Sequence, residues 1–391
     1  MAEAYIVELV RTAGGRRNGR LSGWHPADLG GEVLNALVER SGVDPETIDD
    51  VIAGCVTQSG EQSFAFGRNM VLASKLPESV PAVTIDRQCG SSQQALQFAA
   101  QAVLSGTQDI VIAAGGESMT RVPMFSNFML HAKAGIGTSP FSERIKRRFG
   151  AKDFSQFIGA QMIAEKYAFD RETLDRYALE SHRRAAAAVQ SGAFEREIVP
   201  IPIDGPNGPE MHVQDEGIRF DASLEAIGSV KLLQEGGVIS AANASQICDG
   251  ASAALVVSEK VLKEQNLTPL ARIHSFSVTA GDPVIMLEEP IPATERVLKK
   301  AGMKIDDIDL YEVNEAFASV PLAWLKATGA DPNKLNVNGG AIALGHPLGA
   351  TGTKLMATLV HGLIACGKRY GLQTMCEGGG MANAMIVEAL G

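Results

Sequence analysis

The chain carries the same stretch twice, 260 residues apart, and a duplication of that length narrows the fold to two related halves. Gly42 and Gly302 each close a helical run, over 37–41 and 297–301. After each glycine comes an acidic, isoleucine-containing stretch and then a strand, Ile48-Asp49-Asp50-Val51-Ile52 against Ile308-Asp309-Leu310-Tyr311-Glu312. Repeats this long are duplicated domains rather than turns of a solenoid. Residues 118–249 have no counterpart in the second copy and read as an insertion. The expected division is 1–117, 118–249, 250–271 and 272–391.

Strand and helix signals alternate, the pattern of an α/β protein whose sheets are covered by helices. A strand is expected over 6–10 and a helix over 26–40. Each copy then reaches a corner where the chain turns into an amphipathic helix. In the first, Val83-Thr84-Ile85 leads through Cys89-Gly90-Ser91-Ser92 into a helix over 93–104. In the second, Gly345-His346-Pro347-Leu348-Gly349 leads into a helix over 350–366. Both helices give way to a short strand and a glycine cluster, the second being Cys376-Glu377-Gly378-Gly379-Gly380. Cys89 and His346, 257 residues apart, thus stand at matching corners. Two pseudo-equivalent halves are expected to bring that thiol and imidazole into one pocket. Within the insertion, 157–191 reads as one long helix, and 200–209, rich in proline and glycine, as a surface loop.

Charge and cysteine usage exclude several classes. A net charge of −10 argues against a nucleic-acid binder, whose footprint is basic. The basic island of Arg144, Lys146, Arg147, Arg148 and Lys152 is either a solvated helix face or an anion site. Nothing at Met1-Ala2-Glu3-Ala4 resembles a targeting leader, and no apolar run approaches the ~18 residues of a membrane span. Five cysteines without a C-x-x-C pair argue against a disulfide framework and a structural zinc site, so no metal is expected. A reducing cytoplasm suits such thiols.

The corners carry chemistry. Cys89, just before a helix start, is expected to have a lowered pKa, and free amides there can hold an oxyanion. Its bland alternative is an inert buried thiol. His346, between Gly345 and Pro347, has neighbours that allow close approach, and an imidazole within reach of a thiol can take its proton. Cys376 ends a strand and suits a proton shuttle, or is simply a small buried residue. Cys55, Cys248 and Cys366 are expected in the core. Asn314, in Val313-Asn314-Glu315-Ala316-Phe317, suits a water or an oxyanion, with Glu315 steadying a histidine or asparagine. A self-satisfied buried pair fits these two residues equally. The apolar run Met124-Phe125-Ser126-Asn127-Phe128-Met129-Leu130 suits a pocket wall or an assembly loop. Two motifs fail: Gly349-Ala350-Thr351-Gly352-Thr353-Lys354 lacks the Gly-Lys-Ser/Thr ending of a phosphate loop, and no G-x-S-x-G elbow occurs.

Taken in order, Val10-Arg11-Thr12, Gln88-Cys89-Gly90-Ser91, Asn314-Glu315-Ala316-Phe317, the run from Asn336 to Pro347 and Cys376-Glu377-Gly378-Gly379-Gly380 resemble the thiolase signatures, across essentially the whole chain. The resemblance implies an α/β thiolase fold: two duplicated βαβαβαββ halves in five αβαβα layers, with an inserted loop domain that binds coenzyme A. It implies Cys89 as the acylated nucleophile, His346 as its activator and Cys376 as the acid/base. One oxyanion hole would comprise Asn314, through a water, and His346; the other, the amides of Cys89 and Gly378. Arg219, Ser245 and Phe317 match coenzyme A contacts. The chain departs from the family near the start of the long insertion helix, where a His-Met-Gly run is common and Ser155-Gln156-Phe157 stands here.

The resemblance further implies an acyltransferase with coenzyme A as co-substrate and no permanently bound cofactor. Its partners would be acyl-CoA and coenzyme A, with no nucleic acid and no membrane, in a cytoplasmic homodimer or homotetramer. The segments Gly15-Arg16-Arg17-Asn18-Gly19 and 55–62 look similar to degradative thiolases, including those acting on sterol side chains. Thiolytic cleavage of a 3-ketoacyl-CoA is favoured over acetoacetyl-CoA synthesis from two acetyl-CoA. A non-catalytic acyl-CoA-binding relative would be expected to lack Cys89, His346 or Cys376. A carrier-protein condensing enzyme would place histidine at 314 and lack Cys376, and a nucleotide binder would use the turn at 349–354.

Overall fold

The first copy unfolds as β1 (Ala4–Thr12), α1 (Pro26–Ser41), β2 (Asp50–Gly54), α2 (Phe66–Ala73), β3 (Ala82–Ile85), α3 (Ser91–Ser105) and β4 (Ile110–Ser118). This is a computed structural model that describes residues 2–137, 139–151, 153–205 and 208–391. Local chemistry sets the boundaries. His25 accepts from Ala27 N ahead of Pro26, and Gly42 ends α1 at φ 71°, a left-handed stop that glycine takes without steric cost. β4 is buried at every position, as a strand covered on both faces must be.

The insertion corrects two sequence expectations. Residues 157–191 are not one helix: α4 (Gln156–Tyr167) stops at Ala168, φ 56°, and α5 (Arg171–Gln190) restarts behind Asp170, whose carboxylate accepts from Thr173 N. An N-cap aspartate outweighs the continuing apolar period there. The stretch 200–209 is not a plain loop, because Ile201–Gly205 pairs with Gly208–His212 in a hairpin. Ile201, Ile203 and His212 are buried, a period of two that the prolines and glycines mask. Residues 206–207 lie outside the described residues.

β5 (Cys248–Ser258) returns to the first sheet. The second copy follows as β6 (Ala271–Ala280), α6 (Pro290–Ala301), β7 (Leu310–Val313), α7 (Ser319–Thr328), α8 (Thr351–Ala365), β8 (Tyr370–Glu377) and β9 (Met381–Ala389). Strands run β3-β2-β4-β5-β1 in the first half and β7-β8-β9-β6 in the second, joined at the edges by Tyr5↔Arg272 and Ile6↔Ala271. The counterpart of β3 has shrunk to a single bridge, Tyr311↔Leu335. Beside it the Asn336 side chain does a strand's work, accepting from Val313 N and donating to Val313 O, both at 2.9 Å.

Packing gives the five layers. α1 and α2 cover one outer face through Val33, Leu37 and Met70. α6 and α7 cover the other through Val297 and Trp324. Between the halves, Leu96 and Val103 of α3 interlock with Met356, Leu359 and Leu363 of α8. No described helix is long and apolar enough to cross a membrane.

α3 and α8 each span 15 residues and keep the 260-residue spacing. In that register Gly349, not His346, is the counterpart of Cys89. The corners are equivalent but the two side chains are not: His346 stands three residues earlier, ahead of the short helical turn at Leu348–Ala350.

Candidate active site

Cys89 sits on a tight corner. Asp86 Oδ1 accepts from Gln88 N at 2.7 Å, and Gln88 takes φ 50°, a left-handed conformation that tends to cluster at functional sites. The half-buried Cys89 packs against an apolar group of Val56, Met119 and Leu348. Its thiol is pushed up to about 12, first by burial and then by the neighbouring Glu377 carboxyl, against the lowered value expected from the helix start. Desolvation outweighs the helix-end field here, so Cys89 rests as a thiol.

His346 is buried in the turn two residues before Leu348. Its Nδ1 lies 2.6 Å from Thr351 Oγ1, and its Nε2 is 3.4 Å from Asn314 Nδ2. Burial, reinforced by the Lys354 charge, holds it down at about 3, so the imidazole is neutral. Asn314, at the end of β7, donates its backbone N–H to Thr374 O at 3.1 Å, while its buried Oδ1 has no protein partner. Cys376, at the end of β8, is fully buried within a cluster that includes Ala316, Phe317 and Ile342. Its thiol is held well above the ordinary range, first by burial and then by the charge that Cys89 would carry. Gly378 abuts Gln88: an added Cβ would stand 2.8 Å from Gln88 Oε1. Asn314 thus adjoins His346, Gly378 adjoins the corner that carries Cys89, and Leu348, two residues after His346, packs against Cys89.

One residue that stitches the corners together escaped the sequence reading. Glu117 Oε2 accepts from Val56 N at 2.9 Å and from Gly349 N at 3.0 Å, and its Oε1 from Thr57 N and Gln62 Nε2, both at 2.9 Å. A carboxylate at the end of the buried run Ile110–Ser118 was the available signal. Glu315 steadies Asn336 rather than His346 or Asn314. It accepts from Tyr177 Oη (3.0 Å), Ser181 Oγ (2.7 Å), Asn336 Nδ2 (3.1 Å) and Ile342 N (3.1 Å), binding α5 to the second half.

The expected coenzyme A contacts divide. Ser245 donates its N–H to Ala316 O at 2.9 Å, and neighbouring Ala244 bridges to Phe317, so these residues share a site. Arg219 stands exposed, its N–H donating to His182 Nδ1 on α5 at 3.2 Å. Of the departure at 155–157, Ser155 precedes α4 and Phe157 lies edge-on to Phe317, centroids 5.6 Å apart. Gly159, two residues on, packs so closely that a Cβ there would meet Ile285 O at 2.6 Å.

Cys55 and Cys248 are buried as expected, whereas Cys366 is exposed because it caps the solvent end of α8. Arg144, Lys146, Arg147 and Arg148 lie on a short surface helix, Glu143–Phe149, where Lys146 pairs with Glu143 at 3.0 Å. Lys152 lies outside the described residues. In the run 124–130, Met129 and Leu130 are exposed on the helix Ser126–Lys133.

Family comparison accounts for both halves. The model for the thiolase N-terminal domain matches residues 4–260, and that for the C-terminal domain matches residues 267–389. The chain belongs to the thiolase family. It is 52% identical to a steroid 3-ketoacyl-CoA thiolase of Mycobacterium tuberculosis over 392 aligned residues, covering 100% of this chain and 95% of the relative. It is 40% identical to an acetyl-CoA acetyltransferase of Escherichia coli, covering 100% of both. The crystal structure of human mitochondrial 3-ketoacyl-CoA thiolase superimposes with a TM-score of 0.89 at 35% identity, covering 100% of this chain and 99% of that one. This thiolase is accordingly an acyltransferase by family and has the thiolase fold.

Proposed function

We propose that the protein cleaves 3-ketoacyl-CoA with coenzyme A, yielding acetyl-CoA and an acyl-CoA two carbons shorter, in fatty-acid or sterol side-chain β-oxidation. The observation that carries this reading is the neutral His346, its Nε2 beside Asn314 and its turn packed through Leu348 against Cys89. His346 Nε2 takes the Cys89 proton as sulfur attacks the 3-keto carbon, and the alkoxide faces the amides of Cys89 and Gly378. The C2–C3 bond breaks, leaving the acyl group on Cys89. The acetyl-CoA enolate, its oxygen towards His346 and Asn314, takes the Cys376 proton. Coenzyme A gives its thiol proton back to Cys376 and attacks the acyl-enzyme, and His346 returns its proton to Cys89.

Arg219, Ser245 and Phe317 are the proposed coenzyme A contacts, in an insertion spanning 118–249 between the pieces 1–117 and 250–271 of the first half, with 272–391 as the second. Steroid rather than short-chain acyl groups are favoured by the 52% identity to a steroid 3-ketoacyl-CoA thiolase. A cytoplasmic homodimer or homotetramer with no resident cofactor completes the reading. The test is mass spectrometry after mixing with 3-ketoacyl-CoA without free coenzyme A. One acyl adduct on Cys89 is expected, absent in Cys89→Ala; an adduct on another residue sinks the assignment.

A further inference from the structure

The turn from Gly349 to Lys354 looks like a phosphate loop in sequence, yet its lysine points inward. Lys354 is buried, and its Nζ donates to Leu344 O at 2.7 Å and Gly345 O at 3.0 Å, the two carbonyls immediately ahead of His346. Gly345 takes φ 78°, and a Cβ there would meet Cys248 Sγ at 2.6 Å. The peptide leading into His346 is thus clamped between a cation and β5. On its other side the ammonium lies 3.9 Å from Asp215 Oδ1. Asp215 also accepts from Arg11 Nη1 at 2.8 Å, and Arg11 Nε bonds Glu197 at 2.5 Å. Arg11 comes from β1, Glu197 and Asp215 from the insertion, and Lys354 from α8. Burying four charges is expensive compared with burying four apolar side chains, so the set calls for a role beyond stability.

We propose that Lys354 is a positioning residue for His346, fixing the peptide that carries the imidazole and linking it through Asp215 to the insertion. The proposal rests on the thiolysis reading above. Besides geometry, the ammonium supplies a positive charge that opposes protonation of the imidazole, keeping it ready to accept the Cys89 proton. The charged and titratable groups around the ammonium are Asp215, Cys248, Arg11 and Glu197; Lys354 is the charge that acts on His346, and Glu117 reaches the same turn at Gly349 N.

Three variants test it: Lys354→Met removes charge and bonds, Lys354→Gln keeps an amide donor without charge, and Lys354→Arg keeps the charge. Each is compared with the wild type in kcat, KM and the pH profile of kcat/KM. Lys354→Met is expected to lower kcat about 100-fold through misplacement of the base, with KM within about threefold. The acid limb should move to higher pH in both neutral variants, because the imidazole then protonates more readily, and return to its wild-type position in Lys354→Arg. An acid limb unmoved in Lys354→Gln, or equally displaced in Lys354→Arg, overturns the role. If Lys354→Met fails to fold, Lys354→Gln and Lys354→Arg still decide the matter. Wild-type turnover is read first: its absence overturns the thiolysis reading and this proposal together, whereas turnover with an unmoved limb overturns Lys354 alone.

Discussion

Thr351 Oγ1 stands 2.6 Å from His346 Nδ1 and gives its own hydrogen to Pro347 O at 2.8 Å. A hydroxyl has one hydrogen, so the ring nitrogen must be the donor in the first of these bonds. The first residue of α8 therefore sets the tautomer: Nδ1 carries the proton, and the Nε2 lone pair faces Asn314. An alcohol supports the ring here, where a carboxylate would have favoured the imidazolium.

Thr351→Val keeps the shape and removes the acceptor. The ring then loses its orientation and its preferred tautomer, and kcat should fall about 100-fold, within the range of a general-base contribution. Tm should drop by only a few degrees, roughly what one buried hydrogen bond is worth. Steady-state kinetics with a melting curve check both; unchanged kcat would mean that His346 needs no partner at Nδ1.

Glu377 lies near Cys89, its two buried oxygens without a side-chain hydrogen-bond partner, and burial raises it to about 8. A carboxyl raised on folding is favoured in its protonated form, so stability falls as pH climbs from the ordinary carboxylate range through about 8. Glu377→Gln should leave Tm almost unchanged at pH 5 and raise it by roughly 2–5 °C at pH 9. Ionised Glu377 also opposes the Cys89 thiolate. Above pH 8 iodoacetamide should alkylate Cys89 about three- to tenfold faster in the Gln variant. Equal rates at pH 9 would count against a carboxylate that feels the sulfur.

Much of this was legible in sequence because duplication leaves periodic marks: Gly42 and Gly302 end matching helices, and α3 and α8 keep the same spacing. What stayed hidden depends on side chains meeting across the two halves. No local pattern says that Glu117 reaches Gly349 N, or that burial and Glu377 reverse the helix-end effect on Cys89. The match of Cys89 with His346 fails by three residues, as their 257-residue spacing against the 260 of the helices already shows. Asp170 did announce the break between α4 and α5, but a continuing apolar stripe concealed it.

Gly352 marks a close approach of the two halves. An added Cβ would collide with the backbone nitrogen of Gln93, and the same contact carries Thr353 N to Ser92 Oγ at 3.1 Å. Backbone cannot swing aside as a side-chain tip can, so Gly352→Ala must push α8 from α3. Overpacking of this kind costs about 1–3 kcal/mol or more. Chemical denaturation should show that loss, with kcat reduced as well because α8 carries Thr351 and Lys354. Wild-type stability would show that the inter-helix contact is softer than its geometry.

Phe157 offers a handle on substrate choice. It is 40% exposed yet lies edge-on to buried Phe317, beside the bridge from Ala244 that positions Ser245. An aromatic ring in that place presents an apolar wall to whatever enters between α4 and the 243–245 segment. Phe157→Ala removes apolar area that a bound chain would cover, worth about 1–2 kcal/mol. At 1.4 kcal/mol per tenfold, KM should rise roughly 5- to 30-fold. The rise should be largest for ring-bearing 3-ketoacyl-CoA and smallest for acetoacetyl-CoA if the ring faces the acyl chain, and equal for both if it faces coenzyme A. A substrate panel on the two proteins separates these outcomes, and an unchanged KM throughout would place Phe157 outside the binding path.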